Sequence, residues 1–210
     1  MASNYDLQVD MAKKIFLAYD QELLIRKFSL ASDTDYLYLT YLGSFCRIDR
    51  KSGSIEEQKN GIWQECRRFN TVMTVYDLLC YHKGQVPPVL SGQWCTAGNF
   101  VVTGVTKTEV FTKTYTGLFD GCPELLKRVC QQLGGTVLPP LAGADVTCRF
   151  PVTDFFPVLL QFWQSDEDFP AKLVVLWDRN TDRFLHFETT FYLQGDLLDR
   201  LKQLAENIIE

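Results

Sequence analysis

The sequence predicts an α+β fold, in which a largely antiparallel sheet carries packed helices at both ends of the chain. Apolar residues recur with helical spacing near the start and near the end, and the stretches between them are rich in β-branched and aromatic residues interrupted by turns. Strands and helices do not alternate regularly, which argues against a parallel α/β fold. Since the chain has 210 residues and 46% of them are hydrophobic, we expect a single globular domain over residues 1–210.

The first half of the chain contains two predicted helices with β-prone segments between them. Residues 5–25 place apolar side chains at i, i+3, i+4 and i+7, which favours a helix. Residues 36–48 are aromatic and β-prone with Gly43 near the middle, which indicates a hairpin or a sharply bent strand. A further short edge strand is predicted within 55–63, and an apolar stripe predicts a second helix over 67–82.

The second half begins with an irregular stretch over residues 85–121. Threonine and glycine are frequent there, and the pattern favours a long loop with short strands. A third helix is predicted over 123–133 and a strand over 145–150. The nearly continuous apolar runs at 157–163 and 173–177 predict two paired central strands with both faces covered.

The chain closes with a helix predicted over residues 190–208, where leucines form one stripe. Residues 184–187 form either a short final strand or the approach to this helix. The choice between these alternatives matters because it determines which way the candidate catalytic side chains in and beside this segment point.

Composition limits the possible compartments and partners. The net charge of -5 and a sequence pI near 5.1 argue against nucleic-acid binding, which needs a basic face. We expect no membrane segment and no secretory signal, because no apolar run is long enough and the first residues lack a basic segment followed by an apolar run. None of the seven cysteines is spaced as C-x-x-C, so we expect a cytoplasmic protein with reduced thiols.

Three adjacent carboxylates, Asp166, Glu167 and Asp168, lie at the predicted turn between the two central strands. Oxygen ligands of this kind suit a hard cation such as Mg²⁺ or Ca²⁺, which makes the turn a candidate metal site. The alternative is a solvated hairpin tip that discourages aggregation through the sheet edge.

His186 and Glu188 are candidate catalytic residues. On a strand, positions i and i+2 share a face, so the imidazole and the carboxylate could form an oriented base or a pair of metal ligands. The alternative for His186 is a hydrogen-bonded core histidine. The other histidine, His82, is a candidate ligand contact, although a cation at a helix C-terminus is favoured by the helix dipole without any function.

Cys122 is the best candidate for a reactive thiol, because it precedes Pro123 at a predicted helix start, where the dipole favours a thiolate. Trp94 and Cys95, in the irregular stretch, and Trp163, at a strand end, are candidate ligand contacts. Core packing is the alternative for Trp163. The phosphate-binding, dinucleotide-binding, nucleophile-elbow and zincin motifs are absent from the sequence.

Several segments resemble one known family. LLCYHKG at 78–84, LSGQW at 90–94 and the W-x-x-D-E-x-F-P pattern at 163–170 resemble the uncharacterised family known as domain of unknown function 3786, as do the segments at 157–163 and 184–188. The family has no agreed activity, so the resemblance implies no catalytic residue. Some members are joined to an iron–sulfur cluster domain related to those of corrinoid proteins, which implies an accessory role near anaerobic corrinoid one-carbon chemistry. This chain lacks the cysteine spacing that such a cluster needs.

Two hypotheses follow for the function. The first is a cytoplasmic binding or accessory module for a small molecule, a cofactor or a partner protein. The second is an enzyme with a non-standard site, metal-assisted or not, built from His186, Glu188 and a carboxylate of the 166–168 turn, with these groups within about 3–4 Å of one another or of a shared water.

Overall fold

The computed structural model describes residues 4–100 and 109–209, except for the side chains of 109–111. The predicted fold class is confirmed, with helices at both ends packed on antiparallel sheets. The strands form two five-stranded sheets where the sequence suggested one. The helices of the described residues are α1 (Asn4–Ala18), α2 (Gln21–Phe28), α3 (Phe69–Cys80), α4 (Glu109–Phe119), α5 (Pro123–Gln132) and α6 (Phe187–Ile209), with short 3₁₀ helices at Ala97–Phe100 and Thr181–Arg183.

The first sheet is a meander of five strands in chain order. It consists of β1 (Ala31–Ser32), β2 (Tyr36–Tyr41), β3 (Ser44–Asp49), β4 (Ile55–Lys59) and β5 (Ile62–Glu65). The predicted hairpin is confirmed, and Leu42 and Gly43 form its turn with φ of 43° and 72°. Two strands, rather than one, occupy the region of 55–63, because Asn60 and Gly61 also take positive φ and reverse the chain.

The second sheet places the two predicted central strands at its centre. Its members are β6 (Trp94–Cys95), β7 (Thr136–Leu138), β8 (Val146–Thr153), β9 (Phe156–Trp163) and β10 (Lys172–Asp178), in the order β6-β10-β9-β8-β7. β9 and β10 pair antiparallel from Lys172 opposite Trp163 to Trp177 opposite Val158. Seven of the eight β9 residues are buried, as the continuous apolar run predicted.

Three helix predictions need correction. The helix expected over 5–25 is two helices, because the Asp20 side chain caps α2 by accepting from the backbone N–H of Leu23 at 3.0 Å. The irregular stretch contains α4, which packs against β10, while residues 101–108 of that stretch lie outside the described residues. Of the two alternatives for residues 184–187, the approach to the last helix is confirmed and the strand is wrong, and α6 begins at Phe187 rather than at residue 190.

The ionic cluster of Glu57, Arg68, Asp196 and Arg200 joins the first sheet to α3 and α6, and all its members except Arg68, whose side chain is 41% exposed, are buried. Arg200 donates to Asp196 and to Glu57, both at 3.1 Å. Arg68 also donates to Glu57. Two cations and two carboxylates balance, which is the condition under which buried charge is tolerated.

Candidate functional site

A groove of about 600 Å³ lies where α1 and the start of α6 flank the C-terminal half of α3. Both α1 and α6 pack against α3, and α3 forms the floor between them. The groove is lined mainly by apolar side chains, among them Met11, Ala12 and Ile15 from α1, Met73 and Tyr76 from α3, and Tyr192 from α6. Ligand pockets commonly have volumes of about 300–1,000 Å³ and an apolar lining of this kind.

Asp77 and His186 form a hydrogen-bonded pair in the lining of this groove. The Nδ1 atom of His186 lies 2.6 Å from Asp77 Oδ1. The other carboxylate oxygen of Asp77 accepts from the backbone N–H of His186 at 2.7 Å and from the Thr189 hydroxyl at 2.6 Å. The carboxylate therefore caps the N-terminus of α6 and orients the imidazole at the same time.

This geometry determines which nitrogen of His186 carries the proton. An ionised carboxylate can only accept, so Nδ1 is the protonated nitrogen and Nε2 keeps its lone pair in the neutral ring. The imidazole side chain is 62% exposed, whereas that of Asp77 is 13% exposed. The Tyr81 ring packs edge-on against the imidazole at a centroid distance of 4.3 Å. His186 therefore presents an oriented proton acceptor to the groove.

Glu188 also lines the groove, but not as a strand neighbour of His186. It lies exposed in the first turn of α6, and the carboxylate that contacts His186 belongs to Asp77. The prediction that the two residues share a strand face is therefore wrong. The local sequence does contain one signal for Asp77, because it is a lone carboxylate within the otherwise apolar helix segment VMTVYDLLC.

The groove floor contains a thiol and a phenol that both stay protonated. Burial raises the pKa of the Cys80 thiol from 9.0 to about 12, and burial also raises the pKa of Tyr76. The Tyr76 hydroxyl donates to the carbonyl of Gly53. Neither group is therefore an activated nucleophile at neutral pH.

His82 lies just beyond the end of α3 and is not among the groove-lining residues. Its pKa is lowered, first by burial and then by the nearby Lys27 cation. The cations at this helix end are lysines, since Lys27 donates to the carbonyl of His82 and Lys83 donates to that of Cys80 at 2.8 Å. The expected cationic role of His82 is thus taken by Lys27 and Lys83.

Trp94 and Cys95 line a second pocket, of about 460 Å³, at the β6 edge of the second sheet. The buried carboxylate of Asp178 shapes the preceding loop by accepting from the backbone N–H groups of Ser91 at 2.9 Å and Gly92 at 2.8 Å. Burial raises the pKa of the Cys95 thiol. Trp94 and His186 therefore line different cavities.

Trp163 lines a smaller cavity of about 210 Å³ on the face of β10. Its indole N–H donates to the carbonyl of Ala142 at 3.4 Å, and the Lys172 ammonium lies 6.0 Å from its ring centroid. Cys122 is exposed at the start of α5 and is not a lining residue of the groove. The structure therefore does not bring either residue to His186.

The acidic turn lies at the opposite end of β10 from the segment that leads to His186. Asp166 stabilises the turn itself, because its Oδ1 accepts from the backbone N–H groups of Asp168 at 2.9 Å and Phe169 at 2.7 Å. Glu167 and Asp168 are exposed. Within the described ranges, no group of three or more His, Cys, Asp or Glu side chains is arranged to hold a metal ion.

The comparison with protein families gives one match. The family described as domain of unknown function (DUF3786) matches residues 20–200, which is most of the chain. The chain belongs to the DUF3786 family. The resemblance of the 78–94 and 157–188 segments is thereby confirmed, and the matched residues of this DUF3786 chain include Asp77, His186 and the acidic turn.

No curated protein and no solved structure matches this DUF3786 chain. The family description assigns no activity to its members. Among the helices that the structure describes, none has the length and apolar character needed to cross a bilayer.

Proposed function

We propose that this chain is a binding module for a small, largely apolar molecule held in the groove between α1, α3 and α6. The observation that carries the proposal is the Asp77–His186 pair, which places one oriented acceptor atom, Nε2, in an otherwise mainly apolar groove. A few fixed polar groups in an apolar cavity are typical of ligand sites, because the apolar area supplies affinity and the polar atom supplies orientation.

The groove chemistry specifies the kind of ligand. A neutral His186 with its proton on Nδ1 accepts a hydrogen bond at Nε2, so the ligand should offer a hydroxyl or N–H group. Lys83 and Glu188 both line the groove and carry opposite charges, which favours an uncharged ligand over a strongly charged one. Met11 and Met73 are flexible and polarizable, so they can adapt to ligands of different shape. The net charge of -5 makes nucleic acid an unfavourable occupant.

We place this module in the cytoplasm, in an accessory role near corrinoid one-carbon chemistry in an anaerobe. The support for the compartment is that all seven cysteines are free thiols. The support for the accessory role is the family resemblance alone, which is an argument by analogy.

Two matched probes test the ligand proposal, namely 1-naphthol, which has a hydroxyl donor, and 1-methoxynaphthalene, which lacks it. We expect fluorescence titration to show roughly 5-fold tighter binding of 1-naphthol, the equivalent of one hydrogen bond. Met73→Trp should fill the groove and weaken both probes, whereas Val89→Trp, at a position 74% exposed, should weaken neither. Equal affinity of the two probes for the wild-type chain, unaffected by Met73→Trp, would rule the proposal out.

Asp77→Asn separates the orienting role of the carboxylate from its capping role. The amide oxygen can still accept from the backbone of His186 and from Thr189, so α6 keeps its cap. The amide NH₂ then faces Nδ1, which must become the acceptor, so the imidazole proton moves to Nε2. The preference for 1-naphthol should disappear while the melting temperature changes little. Hydroxocobalamin added in parallel tests the corrinoid analogy, since coordination by His186 would change its visible spectrum.

The second candidate function is an enzyme in which His186 acts as a general base. The 2.6 Å contact with Asp77 is the observation that favours it, because a carboxylate on Nδ1 orients the ring and stabilises its protonated form. In ester hydrolysis, Nε2 would take a proton from water as the water oxygen attacks the acyl carbon. The imidazolium would then return that proton to the departing alkoxide. A panel of p-nitrophenyl esters tests this activity, which must fall with His186→Gln if the residue is the base.

A further inference from the structure

α1 exposes more apolar surface than its packing in a single chain explains. Twelve large hydrophobic side chains of the described residues are exposed, and five of them, Tyr5, Leu7, Met11, Ile15 and Leu17, belong to this one helix. Concentrated exposed apolar surface of this kind marks an interaction site. α1 also precedes the residues 20–200 that match the DUF3786 family, so the surface is carried by an element outside the matched region.

The exposed residues form an ordered stripe. Leu7, Met11 and Ile15 follow one another at i, i+4 and i+8 and are 52%, 64% and 50% exposed. Phe16, which is fully buried, anchors the opposite face to the core. Asp10 and Lys14 are both exposed and lie along one flank of the stripe. α1 thus has one apolar face turned to the core and a second apolar face turned to solvent.

We propose that the outer stripe of α1 is the interface of a homodimer, in which α1 packs antiparallel on α1 of a second copy. The charges favour this occupant. On the flank of the stripe, the acidic Asp10 precedes the basic Lys14, and an antiparallel pair with its two-fold axis near Met11 brings Asp10 of each copy towards Lys14 of the other. In a parallel two-fold pair, the flank that carries Asp10 and Lys14 would face the other flank of the partner helix, so these charges would not meet one another. The same surface therefore complements itself in charge along an apolar stripe.

The size of the stripe indicates how the second copy lies. A helix of 15 residues is about 22 Å long. A contact between two helices of this length buries less than the ~800 Å² per subunit of a typical stable interface, so other parts of the second copy should contribute. Met11 and Ile15 also line the groove, so a partner helix on this stripe can reach across the open side towards Tyr192. The second copy would then add area and close the groove from above. The dimer would form whether or not the groove holds a ligand.

Sedimentation velocity of the full chain over ~1–100 µM tests the dimer. We expect a concentration-dependent shift from monomer to dimer. Met11→Glu should raise the dissociation constant by about 100-fold, because it places an unpaired carboxylate at the centre of the interface. Val89→Glu is the matched control, because it adds the same charge at another exposed apolar position, outside α1, and should leave the dissociation constant unchanged. Circular dichroism establishes that both variants are folded.

The charge pattern is tested by reversal. Asp10→Lys alone should weaken the dimer, because it places two basic side chains opposite each other. The double variant with Lys14→Asp should restore the dimer, because an acidic side chain again faces a basic one with the two positions exchanged. A monomer at every concentration, equal effects of Met11→Glu and Val89→Glu, or a double variant no better than the single one would each overturn the inference. None of these readouts involves the naphthol titration, so the dimer and the ligand site can fail independently.

Discussion

Arg200→Met is a direct test of what holds α6 to the first sheet. Arg200 is 9% exposed and donates to Asp196 and Glu57 at 3.1 Å and to the Ser44 hydroxyl at 2.7 Å. Methionine approximates the length of the aliphatic stem but removes the charge. The two carboxylates of the ionic cluster would then face only Arg68, and one buried negative charge would be left uncompensated.

The expected loss of stability is large for a single substitution. Breaking a buried ion pair from one side costs about 3–5 kcal/mol, against a total stability of about 5–15 kcal/mol for a typical domain. For a chain of this length, that loss corresponds to a fall in melting temperature of roughly 6–20 °C. Urea unfolding followed by circular dichroism measures the free energy, and thermal unfolding measures the shift.

A second substitution shows whether charge imbalance is the cause. Asp196→Asn added to Arg200→Met leaves the Arg68–Glu57 pair balanced, so the double variant should regain at least half of the lost stability. Arg67→Met is the matched control, because Arg67 pairs with Glu65 at the surface and its loss should have no measurable effect. The reasoning is refuted if Arg200→Met loses less than about 1 kcal/mol, or if the losses of the two substitutions simply add.

Two further predictions concern buried groups elsewhere in the fold. Burial raises the pKa of the Cys46 and Cys80 thiols from 9.0 to about 12, so their contribution to stability is complete below pH 9 and is lost as the pH rises from 9 to 12. Replacing both by alanine should flatten the alkaline decline measured by urea unfolding, and an unchanged slope would contradict it. Asp178→Ala should speed amide hydrogen exchange at Ser91 and Gly92 by about 10-fold, with exchange in β9 unchanged, since both amides lose a carboxylate acceptor. Unchanged exchange at both amides would show that the loop does not depend on Asp178.

The central strands could be predicted from the sequence because their signal is local. β9 and β10 are continuous apolar runs separated by a turn, and burial on both faces is what such runs require. The hairpin of β2 and β3 is likewise encoded in a short segment by its glycine. In each case the residues that determine the element are neighbours in the chain.

α4 could not be predicted in the same way, because its residues have weak intrinsic helix propensity. Threonine is unfavourable in helices and competes for backbone hydrogen bonds. Thr116 satisfies its hydroxyl by donating to the carbonyl of Lys113 at 2.8 Å, and Phe119 is fully buried. Packing against β10 and α6 therefore outweighs local preference.

The start of α6 shows the same dependence on distant residues. The sequence predicts a helix from residue 190, but Asp77, 109 positions away, supplies the cap that lets the helix begin at Phe187. Because the helix starts earlier, Glu188 lies in the first turn of α6 and not on the face of a strand. The pairing of His186 with Asp77 could not be predicted from local spacing, because the packing of α3 on α6 determines the relative positions of the two side chains.

This origin of the site has a mechanical consequence. The carboxylate that orients His186 is also the cap of α6, so a ligand that pulls on the imidazole also acts on the first turn of that helix. α3 and α6 are joined again where Thr71, near the start of α3, donates to Asp196, near the middle of α6, at 2.5 Å. The polar wall of the groove is thus held at two points, whereas the α1 wall contacts the core chiefly through apolar side chains around Phe16. A fixed polar wall and an apolar wall that can adjust suit a site whose orientation depends on one atom and whose affinity depends on apolar contact.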